Sequence, residues 1–175
     1  IVGKIRLRAC PFLNHSWNTT LYVTARGLTT SPMSHEERIF QIDFDFIDHR
    51  LQIAASDGGT ASIALAPQSV AVFHDRLMAE LERLDLRVPI SPGPNEVADP
   101  IPFPRDETHR AYDADAVHRF WRILAQTDRV MRVFRGRFIG KGSPPHFFWG
   151  AMDLAVTRFS GRTAPAHPGG IPHLP

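Results

Sequence analysis

Between residues 38 and 66 the chain reads RIFQIDFDFIDHRLQIAASDGGTASIALA. Phe40, Ile42, Phe44 and Phe46 alternate with Gln41, Asp43 and Asp45, the two-residue period of a strand with one dry face and one polar face. The alternation resumes at Leu51 and Ile53, breaks at the Ser-Asp-Gly-Gly-Thr turn of residues 56–60, and continues through Ile63 and Leu65. This pattern predicts a three-strand antiparallel meander. Upstream, Leu21, Val23 and Ala25 alternate with Tyr22, Thr24 and Arg26, which predicts a fourth strand ending near Gly27. The polar turn of residues 29–37, broken at Ser31-Pro32, connects it to the meander. Ile5 and Leu7 alternate with Arg6 and Arg8 and suggest a short edge strand before Pro11.

The period then changes. Ser69 is placed to cap a helix in which Val70, Phe73, Leu77, Leu81 and Leu84 recur at spacings of three and four, a stripe suited to the dry face of the sheet. Six prolines in residues 88–104 exclude regular structure there and predict an extended surface crossing. Asp113 opens a second helix. Val117, Phe120, Leu124, Thr127, Met131, Phe134 and Phe138 keep helical spacing along it, so it is expected to bury a full face. Residues 146–159, HFFWGAMDLAVTRF, are apolar on both faces and predict a central aromatic strand. The expected fold is α+β: a mostly antiparallel sheet, made of a four-strand meander plus the later aromatic strand, with two amphipathic helices packed on it. Residues 1–162 are expected to form a single domain, and the Pro/Gly-rich residues 163–175 a linker.

Composition narrows the classes of function. A hydrophobic content of 43% and a charged content of 22% are those of an ordinary globular chain. No run approaches the roughly eighteen apolar residues of a membrane span. The net charge of +2 argues against nucleic acid as a partner despite the basic pI. The single cysteine, Cys10, excludes an intramolecular disulfide and fits a reducing cytoplasm. The chain opens on Ile1 without a methionine or a signal pattern, and both ends read as internal to a longer protein.

Several motifs fail on inspection. Ile1-Val2-Gly3 has no accompanying serine-protease motif. Gly140-Lys141-Gly142-Ser143 lacks the spacing and the strand-to-helix setting of a phosphate loop, leaving a loop that presents Lys141. Asp43, Asp45, Asp48 and His49 place three carboxylates and an imidazole within seven residues, which makes Asp43, Asp45 and His49 candidate metal ligands. Their spacing matches no metal loop, however, and Arg26 on the neighbouring strand is an equal candidate for their ion-pair partner. Arg129, Arg132, Arg135 and Arg137 read as a solvated helix face. Asp153, within the aromatic strand, is expected to be buried and to need a partner.

These residues suggest a small-molecule pocket lined by Trp17, Arg26, His49, His146, Trp149 and Asp153, with Lys141 at hand for an anionic group. In a catalytic version, His49 or His146 is the acid-base group, an aspartate such as Asp153 orients it, and Arg26 or Lys141 holds an anionic group. The alternative is a non-catalytic module that meets a protein partner through aromatic and proline-rich surfaces; a third, which the weak net charge disfavours, is a nucleic-acid binder using the arginines of the second helix. No motif names a cofactor.

Five phrases, NHSWNTTLYVTARGLTTSP, IFQIDFDFIDHRLQI, DPIPF, RFIGKGSPPHFFWG and DLAVTRFSGR, together resemble the bacterial DUF5996 family over essentially the whole chain. The resemblance implies an intact protein of roughly 300 residues, with a helix before Ile1 and a Gly- and aromatic-rich region after Pro175. It implies no activity and no catalytic residues.

Overall fold

The computed structural model describes residues 1–95 and 97–165. In chain order its elements are α1 (Val2–Ala9), β1 (Tyr22–Val23), β2 (Gly27–Thr29), β3 (Met33–His35), β4 (Arg38–Asp45), β5 (Arg50–Ala55), β6 (Thr60–Ala64), α2 (Val70–Arg83), α3 (Ala114–Gly136), β7 (His146–Phe148) and β8 (Asp153–Ala155). A kinked 3-10 segment occupies Asn14–Thr19, with His15 and Ser16 in left-handed conformations, and a single 3-10 turn occupies Phe103–Arg105. The fold is α+β, with a mostly antiparallel sheet of six strands, a separate two-stranded sheet and several helices.

The meander forms as its alternation predicts. β4 pairs with β5 through Ile42↔Ile53 and Phe44↔Leu51, and β5 pairs with β6 through Leu51↔Ile63. β2 and β3 share the other edge of β4, opposite residues 43–45 and 38–40 respectively. The expected polar turn at 29–37 is thus partly strand. Thr30 sits at the interruption, fully buried, where its backbone N–H donates to the Ile42 carbonyl and its hydroxyl accepts from the Ile42 N–H. A side-chain oxygen there replaces a missing ladder acceptor.

The dry face of the sheet is covered as expected. Leu77 and Leu81 of α2 pack with Phe40, Ile42, Leu51, Ile53 and Ile63. Ser69 caps α2 by accepting the Val72 N–H, and Asp113 caps α3 by accepting that of Ala116. A second apolar cluster joins Leu124 of α3 to Leu21, Leu28, Phe46 and Phe147. Phe44 and Leu65 touch both clusters, so the two are continuous.

Four expectations are corrected. Residues 2–9 are a helix and no edge strand, because Val2, Ile5 and Ala9 also stand at helical spacing and all pack on the sheet's core. The Leu21–Arg26 strand shortens to β1, and the chain turns where the Thr24 hydroxyl accepts the N–H groups of Arg26 and Gly27. The central aromatic strand is a small hairpin, β7–β8, reversed through Trp149-Gly150-Ala151-Met152, with Met152 at φ 57°. The long helix does not bury a full face: of its apolar stripe Leu124 is buried, whereas Phe134 is 46% exposed. The expected linker lies outside the described residues from 166 onward.

Candidate functional site

The residues expected to share one pocket are distributed over separate places. Arg26 donates from Nε to Asp45 and from Nη2 to Asp48, each at 2.6 Å. Asp45 is spent in that role. Its second oxygen accepts the N–H groups of Ile47 and Asp48 at 2.9 and 3.0 Å, closing the turn into β5. Desolvation raises its pKa, but the Arg26 bond and the two N–H groups outweigh this and leave it below the ordinary carboxylate value. Asp43 instead accepts from Gln41 at 2.8 Å. His49 turns away from both acids to pair its Nδ1 with the Tyr112 hydroxyl at 2.8 Å. The proposed metal trio therefore does not converge. Among the described residues no three His, Cys, Asp or Glu side chains form a group that could hold a metal ion.

Trp17 and His146 do meet, edge to face at a 5.9 Å centroid separation. His15 lies 4.9 Å from Trp17 and 5.0 Å from Phe159, over which Lys141 places its ammonium, also at 5.0 Å. His146 is 2% exposed, and its Nδ1–H donates to the Pro144 carbonyl at 2.7 Å. This is a packed aromatic cluster. Trp149 and Asp153 line a different cleft of about 580 Å³, together with Phe148, Thr19, Ser16 and Asn95. The Trp149 indole donates to the Thr19 carbonyl at 2.7 Å. Asp153 is exposed, against expectation, because it lies at the end of a solvent-facing hairpin.

A richer constellation surrounds a cavity of about 600 Å³ between the start of α2 and the segment leading into α3. Leu65, Val70 and Phe73 supply an apolar wall, and Thr108, His109, Arg110 and Tyr112 supply the polar one. The sequence builds this wall in steps. Phe103 is buried and anchors the end of the proline-rich crossing. The Asp106 and His109 carbonyls then accept the N–H groups of Ala71 and Val70, both at 3.0 Å, which stitches the segment to the otherwise unpaired donors of the first turn of α2. The Asp106 carboxylate accepts the N–H groups of Thr108 and His109 at 3.1 and 3.0 Å, forcing a tight turn.

That turn returns the His109 ring to the same carboxylate, with Nδ1 at 2.8 Å from Oδ2 and 3.0 Å from Oδ1. The Asp106 side chain is 8% exposed and that of His109 66%. The His109 N–H, with the ring contact in support against desolvation, holds the Asp106 carboxyl below its ordinary pKa. A carboxylate accepts, so the His109 ring donates from Nδ1, which leaves Nε2 outside the pair. This is the arrangement of a histidine oriented for proton transfer. Nearby, burial pushes the Tyr112 phenol pKa up, so the phenol stays protonated at neutral pH while His49 fixes its direction.

Of the residues selected from sequence, His49 alone touches this constellation. Asp106, His109 and Tyr112 were missed. The D-x-x-H spacing at residues 106–109 is their signal, and it stands in a polar loop without periodicity.

The structure is thus an α+β domain whose six-stranded sheet carries α1 and α2 on its dry face, with a histidine-carboxylate cavity where α2 begins. Among its described residues no helix is long and apolar enough to cross a membrane. The chain belongs to DUF5996, a family of unknown function whose model matches residues 1–175. No curated protein and no solved structure matches it.

Proposed function

We propose that this chain is a small-molecule-binding domain whose ligand occupies the cavity beside His109. The observation that carries the reading is convergence: His109, held by Asp106 behind it, and Tyr112, held by His49, line one cavity with an apolar wall. A few placed polar groups on such a wall fit a molecule with an apolar body and a hydroxyl, carbonyl or carboxylate head. His109 Nε2 receives or returns the proton of that head group, Tyr112, accepting from the Nδ1–H tautomer of His49, keeps its own proton to donate to it, and Arg110 at the rim meets negative charge. The lone cysteine, which leaves no disulfide within the chain, fits a reducing cytoplasmic setting.

A thermal-shift screen of the chain against small carboxylates, alcohols and carbonyl compounds tests this. A compound at about a hundred times its dissociation constant stabilises the fold by roughly 2.7 kcal/mol. At about 2–4 °C per kcal/mol for a domain of this size, that is a rise of roughly 5–10 °C. The rise is expected to vanish in folded His109→Ala and to persist in Asp153→Ala. Loss in Asp153→Ala with retention in His109→Ala moves the ligand to the Trp149 cleft and refutes the assignment. No response across the library refutes the binding reading itself.

A further inference from the structure

From the geometry of α3 we infer a docking surface for an acidic amphipathic helix of a partner protein, independent of the cavity. The outward face of α3 carries Ile123, Thr127, Val130 and Phe134 at spacings of four, three and four, the seam by which one helix packs along another. Ile123 is 63% exposed and Val130 62%, and Val133 beside them is 54% exposed. Just past the helix Ile139 is fully exposed. Ile123, Val130 and Val133 are left open to solvent, although a neighbouring face of the same helix packs Leu124 into the core.

Charge identifies the occupant. Residues 116–152 hold seven of the twenty basic side chains and one of the eighteen acids, leaving thirteen bases and seventeen acids elsewhere. The net charge of the chain conceals a basic α3 on an otherwise acidic protein. The single acid, Asp128, is taken by Arg132 at 2.5 Å. Arg119, Arg122, Arg129 and Arg137 rim the stripe, exposed and without an ion pair among the described residues. A second copy brings the same arginines against these, so self-association through this face is opposed. Membrane insertion fits poorly. The stripe is built on β-branched side chains, and Phe134, its one aromatic residue, is held by the Arg158 guanidinium 3.4 Å over its ring. Stiff β-branched residues repeating at seven suit a partner helix instead, and the rim selects Asp or Glu beside that helix's apolar seam.

The test is fluorescence anisotropy with the full chain and a labelled three-heptad amphipathic peptide, leucine at its seam and glutamate at its flanks. Its counterpart carries lysine at the flanks. The glutamate peptide is expected to bind at least about tenfold more tightly than the lysine peptide. Binding is expected to weaken about tenfold in Val130→Glu and in the double variant Arg122→Glu with Arg129→Glu, all at solvent-exposed positions. Equal binding of the two peptides, or none, overturns the inference. So does stronger binding to phosphatidylserine–phosphatidylcholine vesicles, or a concentration-dependent dimer, when either is lost in Val130→Glu.

Discussion

Removing the Asp45 side chain separates two kinds of stabilisation that the structure combines in one carboxylate. One oxygen accepts two backbone N–H groups of the β4–β5 turn, and the other meets Arg26. Asp45→Ala leaves both N–H groups without their partner in a half-buried turn. At about 1–1.5 kcal/mol for each lost bond, the expected loss is roughly 2–3 kcal/mol. Asp45→Asn keeps an acceptor for the turn and removes only the charge. Its cost is smaller because Arg26 is half exposed and screened by solvent. Stability therefore runs wild type, Asn, Ala, in descending order, in urea or thermal denaturation at neutral pH.

Acid separates the two further. The Asp45 carboxyl is held below its ordinary value of 3.8, so the folded state binds its proton later than the unfolded state does. The charge contribution is present in full above that value and is lost as pH falls through the lower, folded one. The gap between wild type and Asp45→Asn should close below about pH 4. The gap between Asn and Ala should persist, because a protonated carboxyl or an amide still accepts the turn's N–H groups. Equal destabilisation by Asn and Ala, or a loss below about 0.5 kcal/mol in Asp45→Ala, refutes the account.

Two further substitutions probe how the pieces are held together. Gly27→Ala places a Cβ 1.8 Å from the Phe44 carbonyl oxygen across the β2–β4 pairing, where backbone cannot yield. A loss of about 3 kcal/mol or more in urea denaturation is expected, and a loss under about 1 kcal/mol contradicts the register. Trp149→Phe keeps a ring over Gly3 but removes the indole bond to the Thr19 carbonyl. It should cost about 1–2 kcal/mol by the same measurement, and an unchanged midpoint shows that this bond carries no stability.

How far the fold is legible in the sequence follows from how far each signal is local. The meander is legible because Phe40, Ile42, Leu51 and Ile53 alternate over a span long enough to exclude a helix. Both helix starts are legible because Ser69 and Asp113 act on donors three residues away. The alternation of residues 5–8 is too short to decide between two periods, and α1 wins it by burying Val2 and Ile5. In residues 146–159 a largely apolar run hides a reversal at Gly150, because its few polar residues follow no alternation that would mark a face. The rest of the surface of α3 misleads for a related reason. Helical spacing identifies an apolar stripe, while what covers the stripe is settled elsewhere in the chain.

For the candidate site the limit is different: composition identifies polar groups, and geometry decides which of them retain unused bonding capacity. Asp45, Asp48 and Arg26 are chemically rich in sequence and saturate one another in the structure. Asp43 is occupied by Gln41. His146 is buried in an aromatic cluster with its Nδ1 given to a carbonyl. His109 and Tyr112 both line the cavity, and each owes its orientation to a single partner, His109 through Nδ1 and Tyr112 through its hydroxyl. One partner, Asp106, is three residues away and was within reach of a spacing rule. The other, His49, is brought to Tyr112 from 63 residues away by the packing of the β4–β5 turn against the segment preceding α3. A reading of residue types offers His49 and His146 as the reactive groups. The structure makes His49 the group that positions Tyr112, and gives the accessible nitrogen to His109.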